Sequence, residues 1–237
     1  MTRPGRQAQW VVGQTWGETV VENKRCVVAV DGPSGSGKST VSRRLATALD
    51  AVYLDTGAMY RAVTWAVLEA GADPLDADAV AKIAAETELT IGTDPIDPHF
   101  RANGLDVSAA IRGPAVTGAV SAVAAVPAVR RELVAQLQAI IAPDPLIVVE
   151  ARHIASVVAP DADLKVYLTA SPAARAQRRS AEDATDVAAT AADLARRDRY
   201  DSSRATDPLR RAADAIEVDT TGHPIDEVVA QLLDLLS

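Results

Sequence analysis

The sequence predicts an α/β fold, a doubly wound parallel sheet with helices on both faces. Short runs rich in valine and isoleucine alternate with longer segments of helical pattern, which is typical of βαβ units. A glycine-rich stretch that ends in Gly-Lys-Ser lies between the first apolar run, residues 26–30, and the first helical segment, residues 41–49. The chain has 237 residues, of which 48% are hydrophobic and 24% charged, and these values suit a globular α/β domain.

The glycine-rich stretch matches the G-x-x-x-x-G-K-S phosphate loop, a strand-to-helix turn whose backbone N–H groups surround a phosphate chain. The positive end of the following helix faces the same anion. Lys38 is predicted to reach the outer phosphates and Ser39 to bind Mg²⁺ through its hydroxyl. The motif therefore predicts a P-loop NTPase fold that binds a nucleoside triphosphate with Mg²⁺. The predicted triphosphate-binding residues are Gly32, Pro33, Ser34, Gly35, Ser36, Gly37, Lys38, Ser39 and Thr40.

Composition excludes several classes of protein. The net charge is −8 and aromatic residues make up 3% of the chain, so nucleic-acid binding is disfavoured. The single cysteine, Cys26, lies in the first apolar run and is expected to be a buried thiol. No apolar run has the length of a bilayer span or the pattern of a signal peptide. We expect a cytoplasmic monomer that acts on small molecules, with neither nucleic acid nor a membrane as a partner.

The first half of the chain gives the following elements. Residues 1–24 are polar and without a clear period, so we expect a loosely ordered N-terminal extension or an alternative start of translation. After the phosphate loop and its helix, a short second strand is predicted over residues 52–54. A helix over 58–70 is closed by Gly71, and another helix is predicted over 77–86.

Residues 88–107 break the alternation of strand and helix. Turn signals separate short strand candidates here, and Asn103-Gly104 is a dipeptide typical of hairpins. The segment is therefore predicted to be a small antiparallel β insertion. Its candidate strands are residues 89–91, the segment around Phe100, and residues 105–107.

The second half returns to alternating elements. Two helices follow the insertion, each with proline in its first turn. Continuous apolar runs then predict strands that are covered on both faces of a parallel sheet. The predicted helices are 114–126, 127–141 and 225–236, and the predicted strands are 146–149, 164–168 and 215–218.

Polar residues follow the second predicted strand. Asp55-Thr56-Gly57 stands at its carboxyl end, and Arg61 comes one turn into the next helix. Ligands bind at the carboxyl ends of parallel strands, so this pattern suits a phosphorylated substrate. A helix cap followed by a surface arginine explains it equally well.

An acid, Glu150, ends the predicted strand over residues 146–149, and Arg152 follows it. A carboxylate at a buried strand end needs a partner. We expect Glu150 to support Mg²⁺ through water, with a structural ion pair as the alternative.

A third signal is the arginine-rich segment 196–204. Arg197, Asp201 and Arg204 are spaced i, i+4 and i+7 and therefore share one helix face. Such a run is often a salt-bridged face in solvent. Here, in an acidic protein, it favours a clamp on transferring phosphates, because guanidinium groups bind phosphate oxygens in pairs.

Together these segments resemble bacterial cytidylate kinases, which are ATP:CMP phosphotransferases of the nucleoside monophosphate kinase group. The similarity runs from about residue 26 to the C-terminus, and the segments after the phosphate loop are the more specific ones. The matching segments are Val30 to Ser39, Leu54 to Arg61, Asp106-Val107 through Ile111-Arg112, Val120 to Ala124, Pro127 to Arg130, Pro160 to Asp163, Arg197 to Arg204 and Pro208-Leu209.

The resemblance implies a kinase domain over residues 25–237 that uses ATP with Mg²⁺ to phosphorylate CMP or dCMP. The acceptor-binding part with the β insertion would span about 88–142 and a short lid about 182–200. Catalytic roles fall on Lys38, Arg152 and Arg197, and metal binding on Ser39 and Glu150. The implied acceptor-binding residues are Thr56, Arg61, Ser121, Arg130, Arg152, His153, Asp201 and Arg204.

One segment departs from the family pattern. The family reads Gly-Arg-Asp-Ile-Gly-Thr after the strand that corresponds to residues 146–149, and this chain has Ala151-Arg152-His153-Ile154-Ala155-Ser156. An acid that helps to place the acceptor is replaced by His153, which can form a hydrogen bond or serve as a packing substitution. Two other functions therefore remain as alternatives: a P-loop kinase with a different acceptor, and an ATP-binding regulatory module with a degenerate acceptor site.

Overall fold

Five parallel strands form the central sheet. The computed structural model describes residues 25–143, 146–203 and 206–236, so the predicted extension over residues 1–24 lies outside the described residues. Three shorter strands, β3, β4 and β5, lie outside this sheet. In chain order the strands are β1 (Cys26–Asp31), β2 (Val52–Asp55), β3 (Leu89–Ile91), β4 (Phe100–Ala102), β5 (Leu105–Asp106), β6 (Leu146–Glu150), β7 (Leu164–Thr169) and β8 (Ile216–Asp219).

The sheet order is β2-β6-β1-β7-β8, and every neighbouring pair is parallel. Helices connect the strands and cover the sheet. The helices are α1 (Lys38–Ala48), α2 (Thr56–Glu69), α3 (Ala77–Glu86), α4 (Pro114–Ala125), α5 (Pro127–Ile141), α6 (Pro172–Asp183), α7 (Val187–Ser203) and α8 (Ile225–Asp234), with a 3-10 turn at Ala110–Arg112 and a π turn at Ile154–Val158.

Both faces of the sheet are buried. Val27 and Ala29 of β1 point into a core that α2, α3, α4 and α5 complete, whereas Val28 and Val30 point into a second core with α1 and α8. Side chains alternate between the two faces of a strand, so an uninterrupted apolar run is what such a strand requires. The predicted doubly wound sheet with helices on both faces is confirmed.

The predicted β insertion is also confirmed. Strands β3, β4 and β5 form a separate antiparallel sheet. The turn between β4 and β5 is Asn103-Gly104, with φ of 51° and 76°, values that suit asparagine and glycine in a hairpin. The buried side chain of Phe100 packs with Ala58 and Ala62 of α2, which attaches the insertion to the body.

Several elements begin or end differently from the predicted bounds. Helix α2 begins at Thr56, two residues early, because the Asp55 side chain accepts a hydrogen bond from the N–H of Ala58 and caps the helix there. Strand β8 is shifted by one residue, to Ile216–Asp219.

None of the described helices has the length and apolar character needed to cross a membrane.

Candidate active site

Four strand ends meet at one edge of the sheet. Glu150 pairs in register with Val30 on one side and with Asp55 on the other, and Asp31 pairs with Tyr167. The carboxyl ends of β1, β2, β6 and β7 therefore bring together segments that are far apart in sequence. In doubly wound folds this is the edge where ligands bind.

The phosphate loop leaves β1 at this edge. Gly32 has φ of 148°, and a Cβ there would stand 2.2 Å from the carbonyl oxygen of Leu168, so no other residue fits. Gly37 precedes α1 with φ of 86°, and no side chain caps that helix end. The first N–H groups of α1 thus have no side-chain cap, as a phosphate site at a helix N-terminus requires.

Lys38 folds back over the loop, where its Nζ donates to the carbonyl oxygen of Pro33 at 2.7 Å. Burial and, after it, the positive charge of Arg152 lower the pKa of its ammonium group to about 8, against Glu150 and Asp31, which raise it. An anion beside Lys38 would raise this pKa and favour the charged form.

Ser39 and Glu150 form a possible metal site at the entrance of α1. The Ser39 hydroxyl donates to Glu150 Oε2 at 3.1 Å, and the Tyr53 hydroxyl donates to Oε1. Burial raises the pKa of the Glu150 carboxyl to about 7, and the negative charge of Asp55 raises it too, while Lys38 lowers it.

This oxygen pair fits Mg²⁺, which prefers few protein oxygens together with waters and phosphates. In the described ranges, no group of three or more histidine, cysteine, aspartate or glutamate side chains could form a complete metal cage. Phosphate oxygens and water would therefore have to supply the remaining ligands.

The sequence left two explanations for the segment after β2: a binding site for a phosphorylated substrate, or a helix cap followed by a surface arginine. Asp55 is a helix cap, as one alternative had it. Thr56 is fully buried and its hydroxyl donates to the carbonyl oxygen of Glu150 at 2.9 Å. Arg61 is half-buried, and its Nη1 donates to the Thr117 hydroxyl at 2.9 Å and to the Ile111 carbonyl oxygen at 3.1 Å, so it is not a surface arginine.

Guanidinium groups from three parts of the chain cluster near Arg61. Burial lowers the pKa of Arg61 to about 9, and the positive charges of Arg197, Arg152 and Arg179 contribute. Burial and Arg152 likewise lower the pKa of Arg197 to about 10. Arg197 is 5% exposed, and its Nε has no hydrogen-bond partner within the described ranges. A buried cation with an unused donor is suited to binding an anion.

The predicted helix face on α7 turns towards this cluster. Asp201 is buried, and its Oδ2 lies 2.7 Å from Nε of Arg152, which follows β6. The predicted binding residue Arg204 lies outside the described residues. The ion pair ties α7 to the segment that carries Arg152.

A further arginine, Arg130 on α5, is 1% exposed and held on three sides. Its Nε pairs with Asp207 at 2.8 Å, its Nη1 donates to the Ala124 carbonyl oxygen at 3.0 Å, and its Nη2 lies 2.7 Å from Nε2 of His153. The ring of Tyr60 stacks against it, with the guanidinium carbon 5.5 Å from the ring centroid.

Two cavities open at this edge and meet. The donor cavity contains the phosphate loop with Lys38, Ser39 and Glu150, and the acceptor cavity contains Ser121 and Arg130. The two cavities share four lining residues, Gly57, Arg61, Ala151 and Arg152. Most of the predicted site residues that the structure describes therefore line these two adjoining cavities, whereas Gly32, Pro33 and Ser36 of the loop line neither.

Comparison with known proteins shows the family to which the chain belongs. The family model for cytidylate kinase matches residues 28–237. The chain belongs to the cytidylate kinase family. It is 56% identical over 216 residues to the cytidylate kinase of Nocardia farcinica, covering 89% of this chain and 93% of that protein. It is 52% identical to the cytidylate kinase of Rhodococcus jostii, covering 92% and 97%, and 48% identical to that of Mycobacterium avium, covering 89% and 94%.

The segment that departs from the cytidylate kinase pattern is well packed here. Ala151 and Ala155 are buried, and neither has a positive φ, so alanine is not strained at these positions. The buried carboxylate of Asp31 accepts hydrogen bonds from the backbone N–H groups of Ile154 and Ala155, at 2.8 and 2.9 Å. These bonds fasten the turn after β6 to the end of β1.

Some residues around these cavities were not predicted from the sequence. Arg179 of α6 lines the donor cavity, and Arg175 donates to the Ser34 carbonyl oxygen at 3.2 Å and pairs with Asp198 of α7 at 2.5 Å. The arginines of the segment 175–179 were the available signal, but they precede the arginine-rich segment 196–204, to which the clamp was assigned. Tyr53 gave no signal, because a tyrosine in an apolar strand is usually core.

Proposed function

We propose that this protein transfers the γ-phosphoryl group of ATP to CMP or dCMP, giving ADP and CDP or dCDP. The observation that carries this function is the junction of the two cavities at Arg61 and Arg152, beside Lys38. A triphosphate on the loop and a monophosphate in the acceptor cavity would bring their phosphates together at this junction. Membership in the cytidylate kinase family supports the same reaction.

Positive charge at the junction would stabilise the transfer. Negative charge spreads over the transferred group, and phosphoryl transfer depends mainly on positioning and electrostatics. We assign this catalytic role to Lys38, Arg152 and Arg197. Both arginines are positioned before substrate binds, because Asp201 holds Arg152 and Arg197 is buried.

Ser39 and Glu150 would hold Mg²⁺ together with the phosphates, Ser39 through its hydroxyl and Glu150 through water. The metal would neutralise charge on the phosphate oxygens when bound. Tyr53 and Ser39 donate to the two oxygens of Glu150 and fix its orientation. The rest of the loop, from Gly32 to Thr40, would surround the phosphates with backbone N–H groups.

The acceptor would lie in the second cavity, with its phosphate at the junction and its base at the far end. Ser121, Arg130 and His153 line that cavity and not the donor cavity. The acceptor-binding residues that we propose are Thr56, Arg61, Ser121, Arg130, Arg152, His153, Asp201 and Arg204.

We further propose that residues 25–237 act as one nucleoside monophosphate kinase domain, with residues 88–142 as its acceptor-binding part and 182–200 as its lid. We also propose a monomer that works on small nucleotides in the cytoplasm. Its net charge of −8 disfavours nucleic acid and anionic membranes as partners.

An acceptor screen tests this function. Purified protein with ATP and Mg²⁺ should form ADP and CDP when CMP is added, and much less product with AMP or GMP, with products separated by anion-exchange chromatography. Lys38→Met, which keeps the length of the side chain and removes its charge, should lower kcat by about 10²-fold or more. Absence of CMP-dependent ADP formation at millimolar CMP would contradict the proposal.

The same screen separates the two alternatives. A different acceptor would appear as a nucleotide or non-nucleotide that is phosphorylated faster than CMP. A regulatory module would bind ATP without turnover, and the triple change Ala151→Gly, His153→Asp and Ala155→Gly would then restore activity.

A further inference from the structure

His153 lies at the end of the acceptor cavity where the base is expected. Arg61 and Arg152 stand at the junction with the donor cavity, so the acceptor's phosphate is expected there. The far end is lined by residues of α4 and α5 and by His153, which is 3% exposed. A side chain buried at that end contacts the base rather than the phosphate.

The hydrogen bond to Arg130 decides which nitrogen of His153 carries the proton. A guanidinium group can only donate, so Nε2 of His153, at 2.7 Å from Nη2 of Arg130, must accept. The imidazole is therefore neutral, and its proton is on Nδ1. A second proton, on Nε2, would point at the Arg130 guanidinium group. Arg130 cannot rotate away from it, because Asp207 and the Ala124 carbonyl oxygen hold its other nitrogens.

An imidazole in this state offers no acceptor to a bound base. The lone pair of Nε2 is used by Arg130, and Nδ1–H is a donor. Cytosine and uracil differ at position 4, where cytosine has an amino group that donates and uracil has an oxygen that accepts, and at N3, which accepts in cytosine and carries an N–H that donates in uracil. A carboxylate at position 153 would accept from the amino group and repel the oxygen, whereas His153 does neither.

The other polar groups that line the cavity are mainly donors. At the base end, Arg130 suits a carbonyl oxygen, and the Ser121 hydroxyl can donate to N3 of cytosine or accept from N3–H of uracil, so it tolerates either base. Among the described lining residues the carboxylate is Asp201, and it is paired with Arg152. Strong discrimination requires that the wrong base leave a buried polar group unpaired, and at position 4 this lining does not impose that on uracil.

We propose that His153 relaxes recognition at position 4 of the pyrimidine, so that the protein phosphorylates UMP as well as CMP. This inference rests on the proposed function, since it concerns the acceptor of the same transfer. His153 acts as a specificity-determining residue through its hydrogen bond with Arg130.

The wild-type protein gives the first test. With ATP and Mg²⁺ at pH 7.5, kcat/KM for UMP should lie within about tenfold of that for CMP. A CMP preference of about 10³-fold or more would overturn the inference and leave the proposed function intact. Turnover of neither nucleotide would overturn the proposed function itself.

Two variants of equal size then test the role of His153. In His153→Asp the carboxylate accepts from both Arg130 and the amino group, and the ratio of kcat/KM for CMP to that for UMP should rise by about 30-fold or more. In His153→Asn the amide oxygen accepts from Arg130 and the NH₂ group remains a donor, so the ratio should stay within about threefold of the wild-type value. Equal ratios in both variants would mean that His153 has a structural role only.

The tautomer can be observed directly. In a long-range ¹⁵N–¹H correlation spectrum of the free protein, His153 should show a protonated Nδ1 and an unprotonated Nε2. The other histidines, His99 and His223, serve as internal references, and His153→Asn assigns the signal. A proton on Nε2 would contradict the inference.

Discussion

Glu150 is a buried acid between neighbours that act on it in opposite directions. It is 3% exposed, and burial and the charge of Asp55 favour its neutral form, while Lys38 and two hydroxyl donors favour the carboxylate. The result is a group that is half ionised near pH 7. Such a group responds to a bound cation, because a metal would move it fully to the ionised state.

The raised pKa of Glu150 predicts how stability depends on pH in the protein without nucleotides. Its pKa is about 7 in the folded state and 4.5 without burial, so the unfolded chain releases the proton first as pH rises. The stability contribution of Glu150 is complete below pH 4.5 and is lost as pH rises to 7 and above, by about 3 kcal/mol in total. Glu150→Gln, which stays neutral, should lack this loss.

Urea unfolding at pH 5, 7 and 9 measures the effect. The stability of Glu150→Gln relative to the wild type should increase with pH, and its activity with Mg²⁺ should fall. Glu227→Gln, on the exposed first turn of α8, is the matched control and should show no such trend. A difference that is constant or decreases with pH would contradict the prediction.

The sequence predicted residues in local motifs and missed those that depend on distant contacts. The loop from Gly32 to Thr40 was predicted from its spacing alone. The hydrogen bond between Tyr53 and Glu150 joins residues 97 positions apart, so no local pattern contains it. The role of His153 was left open for the same reason. Its tautomer depends on a hydrogen bond from Arg130, which lies on α5 and is 23 residues away in the sequence.

At the scale of elements, the turn after β6 depends on β1. Asp31 ends β1, and its carboxylate accepts from the N–H groups of Ile154 and Ala155. Arg152 and His153 precede these two residues directly, so the Asp31 carboxylate positions the segment that lines the acceptor cavity. The alternation of strands was readable from apolar runs, but this cross-connection was not.

Asp31→Asn tests the connection. The amide can accept only one of the two N–H groups, and its own NH₂ would face the other, so the free energy of unfolding should fall by about 1–3 kcal/mol. The turn that carries Arg152 and His153 would shift, so KM for CMP should rise by about 5-fold or more, which corresponds to the loss of one hydrogen bond.

The control for this change lies at the other end of the same strand. Asp163 accepts from the N–H of Val27 at 2.8 Å and is exposed. Asp163→Asn should leave KM for CMP unchanged, as measured by steady-state kinetics beside urea unfolding. If both variants raise KM equally, the connection between Asp31 and the acceptor cavity is wrong.

At the scale of the whole molecule, α6 and α7 bridge the two cavities. Arg179 of α6 lines the donor cavity, and Arg197 and Asp201 of α7 line the acceptor cavity. Arg175 joins the two helices and also contacts the phosphate loop through Ser34. Two nucleotides would therefore hold this helix pair from both sides and exclude water from the transfer.

Hydrogen exchange measured by mass spectrometry tests this closure. Amides in α6 and α7 should be protected most by ATP and CMP together (with Lys38→Met used to stop turnover), and less by either nucleotide alone. Helix α8, which lines neither cavity, is the internal control. Equal exchange in α6 and α7 with and without both nucleotides would contradict a lid role for this part of the chain.

The overall architecture could be predicted because each element carries its own pattern, whereas strand order could not. Nothing in the apolar run of β1 indicates that β6 and β7 become its neighbours, since any buried parallel strand has the same composition. The position of α7 beside the two cavities could not be predicted either. Its arginine-rich pattern is equally typical of a helix face that is exposed to solvent.

The central position of β1 has a consequence for synthesis. Its neighbours begin at Leu146 and Leu164, so 114 residues lie between the end of β1 at Asp31 and its first partner. At translation rates of about 5–20 residues per second, the nascent chain carries this apolar strand unpaired for roughly 6–23 seconds. The yield of native protein in a cell therefore depends on keeping that strand from other chains until the ribosome has made the second half.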